Sequence, residues 1–295
     1  MLGQCQDKLN RRQLLKSGLA LAASVVAPGP RRVLGQDRPD CTRWALLSDT
    51  HIAANPENRF RGFYPYRNLQ EVTAQITGNL PDGVVVTGDL ARWRGETRSY
   101  ECVKAMLAPI SQQRPVYLGV GNHDNRKNFL RTFTDPDGID EAGENKRIIT
   151  AEAGPVRLIV LDTLLFINAN PGLLGRSQRA WLENYLQTCD DRPTILLLHH
   201  TPYADLLDTR RLFDIVRPMP KVKAIVYGHS HAYSFAQSEG IHLINLPATG
   251  FNFSDRQPVG WVEARFTQQG GDFRLHAIGG NTANDGGTTT LQWRA

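Results

Sequence analysis

Five short segments concentrate side chains able to bind a cation or move a proton: Ser48-Asp49-Thr50-His51, Thr87-Gly88-Asp89, Gly121-Asn122-His123-Asp124, His199-His200-Thr201-Pro202 and Gly228-His229-Ser230-His231. Six of the eight histidines fall in them, and only His242 and His276 lie elsewhere. Any one segment reads equally well as a polar turn, because Gly, Asn and Asp are turn formers. Their joint occurrence is different, since each follows an apolar run and supplies imidazole, carboxylate or carboxamide donors. Such mixed nitrogen and oxygen donors suit iron, manganese, zinc or cobalt better than calcium.

The runs that must position these donors are Trp44–Leu47, Val84–Val86, Val116–Val120, Val156–Leu161, Ile195–Leu198 and Ala224–Tyr227. They are short and rich in Val, Ile and Leu, as strands buried on both faces are. Five of them end in one of the motifs, and α/β proteins place their sites at the carboxyl edge of such strands. Helical spacing recurs between them. Leu69, Val72, Ile76 and Leu80 share one face, and Trp181, Leu182, Tyr185 and Leu186 another, with Ser177 read as N-cap. Strands at Ile241–Leu246, Trp261–Phe266 and Phe273–Ile278 follow. The segment 279–295 is polar enough to fray.

The chain begins with a different pattern. Asn10-Arg11-Arg12-Gln13-Leu14-Leu15-Lys16 precedes the apolar stretch Ser17–Ala27 and then Pro28-Gly29-Pro30, the layout of a charged region and a short apolar region of an export signal. Eleven residues are too few to span a bilayer as a helix. The adjacent arginines resemble the twin-arginine signal, which implies the twin-arginine translocase as a transient partner and a periplasmic or secreted destination. Residues 1–35 are read as that signal and 36–295 as one domain with a core of about 43–278. The signal holds six of 34 Lys and Arg and one of 29 Asp and Glu, leaving 28 against 28. Net charge therefore gives no footprint for nucleic acid or an anionic membrane. Cys41, Cys102 and Cys189 are too scattered for a disulfide framework or a paired metal motif.

The five segments, in this order, resemble the calcineurin-like metallophosphoesterases, whose pattern is D-x-H, G-D, G-N-H-[DE], H and G-H-x-H. The resemblance covers about residues 43–250. It implies a four-layer αββα sandwich with two mixed β-sheets and two transition-metal ions at the strand ends. Carried over residue by residue, Asp49, His51 and His231 bind one ion, Asn122, His199 and His229 the other, and Asp89 bridges them. His199, at the strand end, is taken as the ligand of the doubled histidine, and His200 as facing substrate or the ligands behind it. Two divalent ions about 3.5–4 Å apart engage both non-bridging oxygens of a phosphate and acidify a water, so a metal-bound hydroxide can attack in line. His123 then serves the departing oxygen, and Asp124 is expected to hold the His123 ring. Asp124 also has a simpler reading as a turn residue.

Departures from other branches narrow the class. Protein serine/threonine phosphatases carry G-D-x-x-D-R-G, against Gly88-Asp89-Leu90-Ala91-Arg92-Trp93 here; purple acid phosphatases place a tyrosine ligand where this chain has Arg92. The likeness is greatest to bacterial class III cyclic-nucleotide and glycerophosphodiester phosphodiesterases, through Gly121–Asp124 with Arg126, Leu158–Asp162, Ser177-Gln178 before Trp181-Leu182, and His199-His200. A small phosphodiester is the implied substrate. A phosphomonoesterase is the competing enzyme, with Arg92 and Arg126 as clamps for a dianion. An exported binding protein without turnover is the competitor outside catalysis. The loops Ala53–Tyr66, with Phe60, Arg61, Phe63, Tyr64 and Tyr66, and Gly250–Pro258 would set substrate choice, or the first would simply pack.

Overall fold

Five of the six apolar runs become inner strands of two mixed sheets, and the sixth, Val116–Val120, supplies an edge strand. In the computed structural model, which describes residues 40–133, 139–142 and 146–295, the first sheet has the order β13 (Thr288–Gln292), β12 (Gly270–Gly280), β11 (Pro258–Thr267), β1 (Cys41–Leu47), β2 (Gly83–Val86) and β3 (Val116–Leu118). The second has β4 (Ile139–Ala142), β5 (Lys146–Ala153), β6 (Val156–Val160), β7 (Thr194–Leu197), β8 (Val222–Tyr227), β10 (Ile241–Asn245) and β9 (Ser234–Ser238). The twin-arginine reading falls outside the described residues. Among those that are described, no helix is long and apolar enough to cross a membrane.

Alternation along β1 shows how the layers arise. The pleat sends successive side chains to opposite faces: Trp44 and Leu46 enter the layer between the sheets, where they join Leu158, Val160, Ile195, Leu197 and Val226. Ala45 and Leu47 face outward and meet Leu69, Val72 and Ile76 of α1 (Pro65–Gly78) and Val103, Leu107 and Ile110 of α2 (Thr97–Ser111). Phe129 of α3 (Arg126–Thr132) joins the same layer. On the far side, Leu182 and Leu186 of α4 (Arg176–Thr188) and Leu212, Phe213 and Val216 of α5 (Thr209–Val216) cover Ile159, Leu196, Leu198 and Ile225. Helix, sheet, sheet and helix make the four layers implied by the resemblance.

β1, β2 and β3 are mutually parallel, as are β6, β7, β8 and β10. Within each set the carboxyl ends therefore lie on one edge. The five motifs follow β1, β2, β3, β7 and β8, so this single constraint gathers them.

Two local readings change. The α4 cap position is Gly175, and Ser177 lies inside the helix. The polar segment from Gly279 does not fray, because it is tied at its end: Trp293 Nε1 donates to Thr267 O at 3.1 Å, and the Arg294 guanidinium donates to Val216 O and Met219 O at 3.0 and 2.6 Å. A cation on carbonyls at the end of α5 is favoured by the helix dipole, and it holds β13 against β12 despite a sequence with little to bury.

Candidate metal centre

Asp49 and Asp89 are almost wholly buried at the ends of β1 and β2. Each spends one oxygen on hydrogen bonds. Asp49 Oδ2 accepts from Ser48 Oγ (2.5 Å) and the His229 amide (3.0 Å), and Asp89 Oδ1 accepts from the His123 amide (2.7 Å). The other oxygen of each faces imidazoles. Asp49 Oδ1 lies 3.3 Å from His231 Nε2, and Asp89 Oδ2 lies 3.3 Å from His199 Nε2.

Two three-donor groups result, Asp49 with His51 and His231, and Asp89 with His199 and His229; a third, overlapping group joins His51, Asp89 and His123. Within each group the donor atoms lie within 4.8 Å of one another. Asp49 Oδ1, Asn122 Oδ1 and His199 Nε2 are buried without a hydrogen-bond partner, a costly state that a cation would relieve. His51 Nε2 and His231 Nε2 face each other at 3.0 Å. His231 Nδ1 donates to Phe251 O at 2.5 Å, which leaves its Nε2 lone pair turned to the cluster. Burial, opposed by Asp89, holds His51 down at about 3, so its ring is neutral and able to ligate. His199 behaves oppositely: burial disfavours its charge, but Asp89 and Asp49 outweigh burial and push it up to about 9. The two carboxylates thus demand positive charge, and these donors fit a pair of metal ions.

The backbone here is unusual. Asp49, His51, Asp89, His229 and His231 all adopt positive φ, between 48° and 69°, a region that L-residues with side chains rarely occupy. Such strain concentrates at functional sites. A Cβ at Gly121 would run into Asp89 Oδ1 and the His199 ring, and one at Gly228 into Ser48 and Asp49. Glycine at those two positions is what lets the strand ends close on the carboxylates.

His123 sits at the rim, its Nδ1 2.9 Å from Trp93 O. Since a carbonyl only accepts, Nδ1 carries the proton and Nε2 is the ring nitrogen left for chemistry. Asp124 does not hold that ring. Its carboxylate is buried and accepts from the amides of Leu90, Ala91 and Gly121 and from Tyr100 Oη. Burial and Asp89 push it up to about 6, with the amides opposing. It braces the motif loops against one another, and the carbonyl of Trp93 does the orienting assigned to it.

Two further corrections concern cations and aromatics. Arg126 is turned away from the cluster into a paired bond with Asp162 (2.5 and 2.7 Å) and a bond to Leu164 O. Arg92 instead lines a cavity of about 300 Å³ over the donors, with its guanidinium 3.9 Å from the Trp93 ring and beside Phe60 and Phe251. Of the Ala53–Tyr66 loop, only Phe60 reaches this cavity. Phe251 and Phe253 come from Gly250–Pro258, and Phe253 stacks on His231 at 4.1 Å. His200 is buried, with Nδ1 2.7 Å from Thr163 Oγ1 and its ring 4.8 Å from that of His229.

Several positions at or beside the site carried no sequence signal. Asp205, at 3.6 Å from His229 Nε2, and Asn170, which lines the cavity and donates to Asp205, lie in loops without a motif. Nothing in the motifs singles out Trp93 or Tyr100. The Tyr100 hydroxyl joins Asp124 Oδ1 (3.0 Å) to the Asn125 amide (2.8 Å), just beyond His123. Tyr100→Phe leaves a buried carboxylate oxygen and an amide short of a partner. The expected cost is about 1–3 kcal/mol, read as a lower urea midpoint at unchanged slope; an unchanged midpoint would show that the brace is not energetically important.

The comparisons with known proteins agree with this geometry. The chain is 32% identical over 204 residues to a probable cyclic nucleotide phosphodiesterase of Rhodopseudomonas palustris, covering 64% of this chain and 71% of that protein. It is 30% identical over 220 residues to a glycerophosphodiester phosphodiesterase of Enterobacter lignolyticus, covering 70% and 76%. Among solved structures, a dimetal phosphatase from Danio rerio shares the fold with a TM-score of 0.66 at 15% identity, over 85% of this chain and 99% of that one. The family model for calcineurin-like phosphoesterases matches residues 42–233, a span that contains all five motifs. With the donors converging as that match requires, the chain belongs to the calcineurin-like phosphoesterase family and is a metal-dependent hydrolase of phosphoric esters.

Proposed function

We propose that the protein is an exported phosphodiesterase acting on small diesters of the cyclic-nucleotide or glycerophosphodiester kind. In this reading Asp49, His51 and His231 hold one metal ion, Asn122, His199 and His229 the other, and Asp89 serves both. Iron, manganese, zinc and cobalt all suit these donors. Bound there, the pair supplies Lewis acidity to the phosphate and lowers the pKa of a water. The protein's own groups do the rest. Arg92, held among aromatic rings with no ion pair among the described residues, takes a non-bridging oxygen. His123, held by its Nδ1–H bond to Trp93 O, gives the Nε2 proton of its doubly protonated ring to the leaving oxygen and is left as the neutral ring protonated at Nδ1. Phe60, Trp93, Phe251 and Phe253 wall the cavity and offer faces to the organic part.

The observation that favours a diester is the fate of the two arginines. A monoester brings nearly two negative charges and gains from several cationic clamps, whereas a diester brings one. Arg126 is committed to Asp162 and only Arg92 reaches the cavity. The names borne by the bacterial relatives point the same way.

The deciding measurement is kcat/KM for bis-p-nitrophenyl phosphate against p-nitrophenyl phosphate at equal metal loading, followed by a cyclic nucleotide and a glycerophosphodiester. The diester is expected to win. A tenfold preference for the monoester, about 1.4 kcal/mol in the barrier, rejects the assignment. His123→Ala is expected to keep its metal content and lose roughly 10²–10⁴ in kcat; loss of metal with retained turnover would instead make His123 a ligand. The twin-arginine route rests on Arg11 and Arg12 ahead of the apolar stretch Ser17–Ala27, and changing both arginines to Lys should trap active precursor inside the cell. Undiminished export of that variant would remove the twin-arginine route.

A further inference from the structure

A second cleft, of about 740 Å³, opens at the starts of α4 and α5 and contains none of the seven candidate donors. Arg176 and Arg179 reach it from the first four residues of α4, and Arg210 and Arg211 from the first three of α5. Asp208 is the one acid in its lining, and its carboxylate is already engaged by the amides of Leu174 and Gly175 and by Arg179. Arg176, Arg210 and Arg211 are exposed and have no carboxylate partner among the described residues.

This arrangement runs against helix electrostatics. Helix N-termini carry partial positive charge and favour acids; neither helix has an acid in its first turn, and Asp208 at the N-cap of α5 makes no cap bond to α5, its carboxylate being spent on the Leu174 and Gly175 amides and on Arg179. Three unpaired guanidinium groups add to both positive ends. The excess is local, since the chain after residue 35 carries 28 basic and 28 acidic residues. A conflict of this kind between sequence and local structure is retained where function requires it. Guanidinium forks match the paired oxygens of a phosphate, and helix N-termini suit the same group. Tyr203 and Leu207, 55% and 63% exposed at the same cleft, provide an apolar face for an organic substituent.

We propose that this cleft binds a phosphate dianion, free or as the terminal group of a small phosphomonoester, at a site separate from the metal centre. A phosphomonoester is also what diester hydrolysis releases, and only that link to the reaction rests on the diesterase reading.

Calorimetric titration of the full-length Asp89→Ala variant tests the cleft with the metal centre disabled; chelator-treated wild-type protein gives the same background. The probes are a nucleoside 5′-monophosphate, inorganic phosphate and the unphosphorylated nucleoside. The monophosphate is expected to bind, less tightly as salt rises, and adding Arg210→Ala and Arg211→Ala should weaken it tenfold or more at unchanged Tm. Equal affinity for inorganic phosphate assigns the site to free phosphate, and tenfold tighter binding of the monophosphate assigns it to the ester. Binding that disappears in both backgrounds, survives the arginine substitutions, or is matched by the unphosphorylated nucleoside overturns the proposal. Because the readout needs no turnover, its failure is distinct from failure of the diesterase reading.

Discussion

Two carboxylates buried side by side are the constraint on which the rest depends. Asp49 and Asp89 sit at the ends of adjacent parallel strands, 0% and 2% exposed, where like charges repel and water cannot screen them. Hydrogen bonds satisfy one oxygen of each, and the other requires positive charge. His199 shows the strength of that requirement, because its ring is driven toward the charged form although it is fully buried. Metal ions meet the same requirement more completely, and the neutral His51 ring and the partnerless Asn122 oxygen suit ions, not protons.

Holding these groups together costs backbone strain, and the surroundings supply the means. Five donor residues at positive φ persist because the loops carrying them are tied to one another. Asp124 gathers three amides and a tyrosine hydroxyl. A second brace lies across the crevice. Asp162 receives Arg126, while the buried Lys146 amine donates to Leu164 O and Leu173 O at 2.7 and 2.8 Å, fixing the loop that brings Asn170 to the cavity. Both braces use charged or polar residues inside the protein, where each is satisfied by several partners.

Arg92 and Arg126 show how burial sorts identical side chains. Each lies within four residues of a donor, Asp89 or Asn122, yet they do unlike work. Arg126 finds a carboxylate whose geometry matches its fork, and is thereby removed from the substrate. Arg92 finds rings, which hold a guanidinium without neutralising it. The charge available to a substrate is set by this division more than by the number of arginines near the motifs.

Much of this was legible in the chain. Inner strands of parallel sheets are buried on both faces and so read as unbroken apolar runs, which is why β1, β2, β6, β7, β8 and β10 stood out, and donors must be Asp, Asn or His whatever the backbone does. The edge strands β9 and β13 lack that signal, although the edge strand β3 carries it. β9 and β13 are half-exposed and polar, and β13 is held by Trp293 and Arg294 through contacts with residues far away in sequence. The same limit applies at the site. The motifs, through the family resemblance they carry, named Asp49, His51, Asp89, Asn122, His199, His229 and His231, because a motif at a strand end needs no distant partner to be recognised. That Trp93 O and not Asp124 orients His123, that Arg126 turns to Asp162, and that Asp205 stands beside His229 depended on which loops meet across the two sheets. Local sequence carries no record of such meetings; tertiary packing decides them.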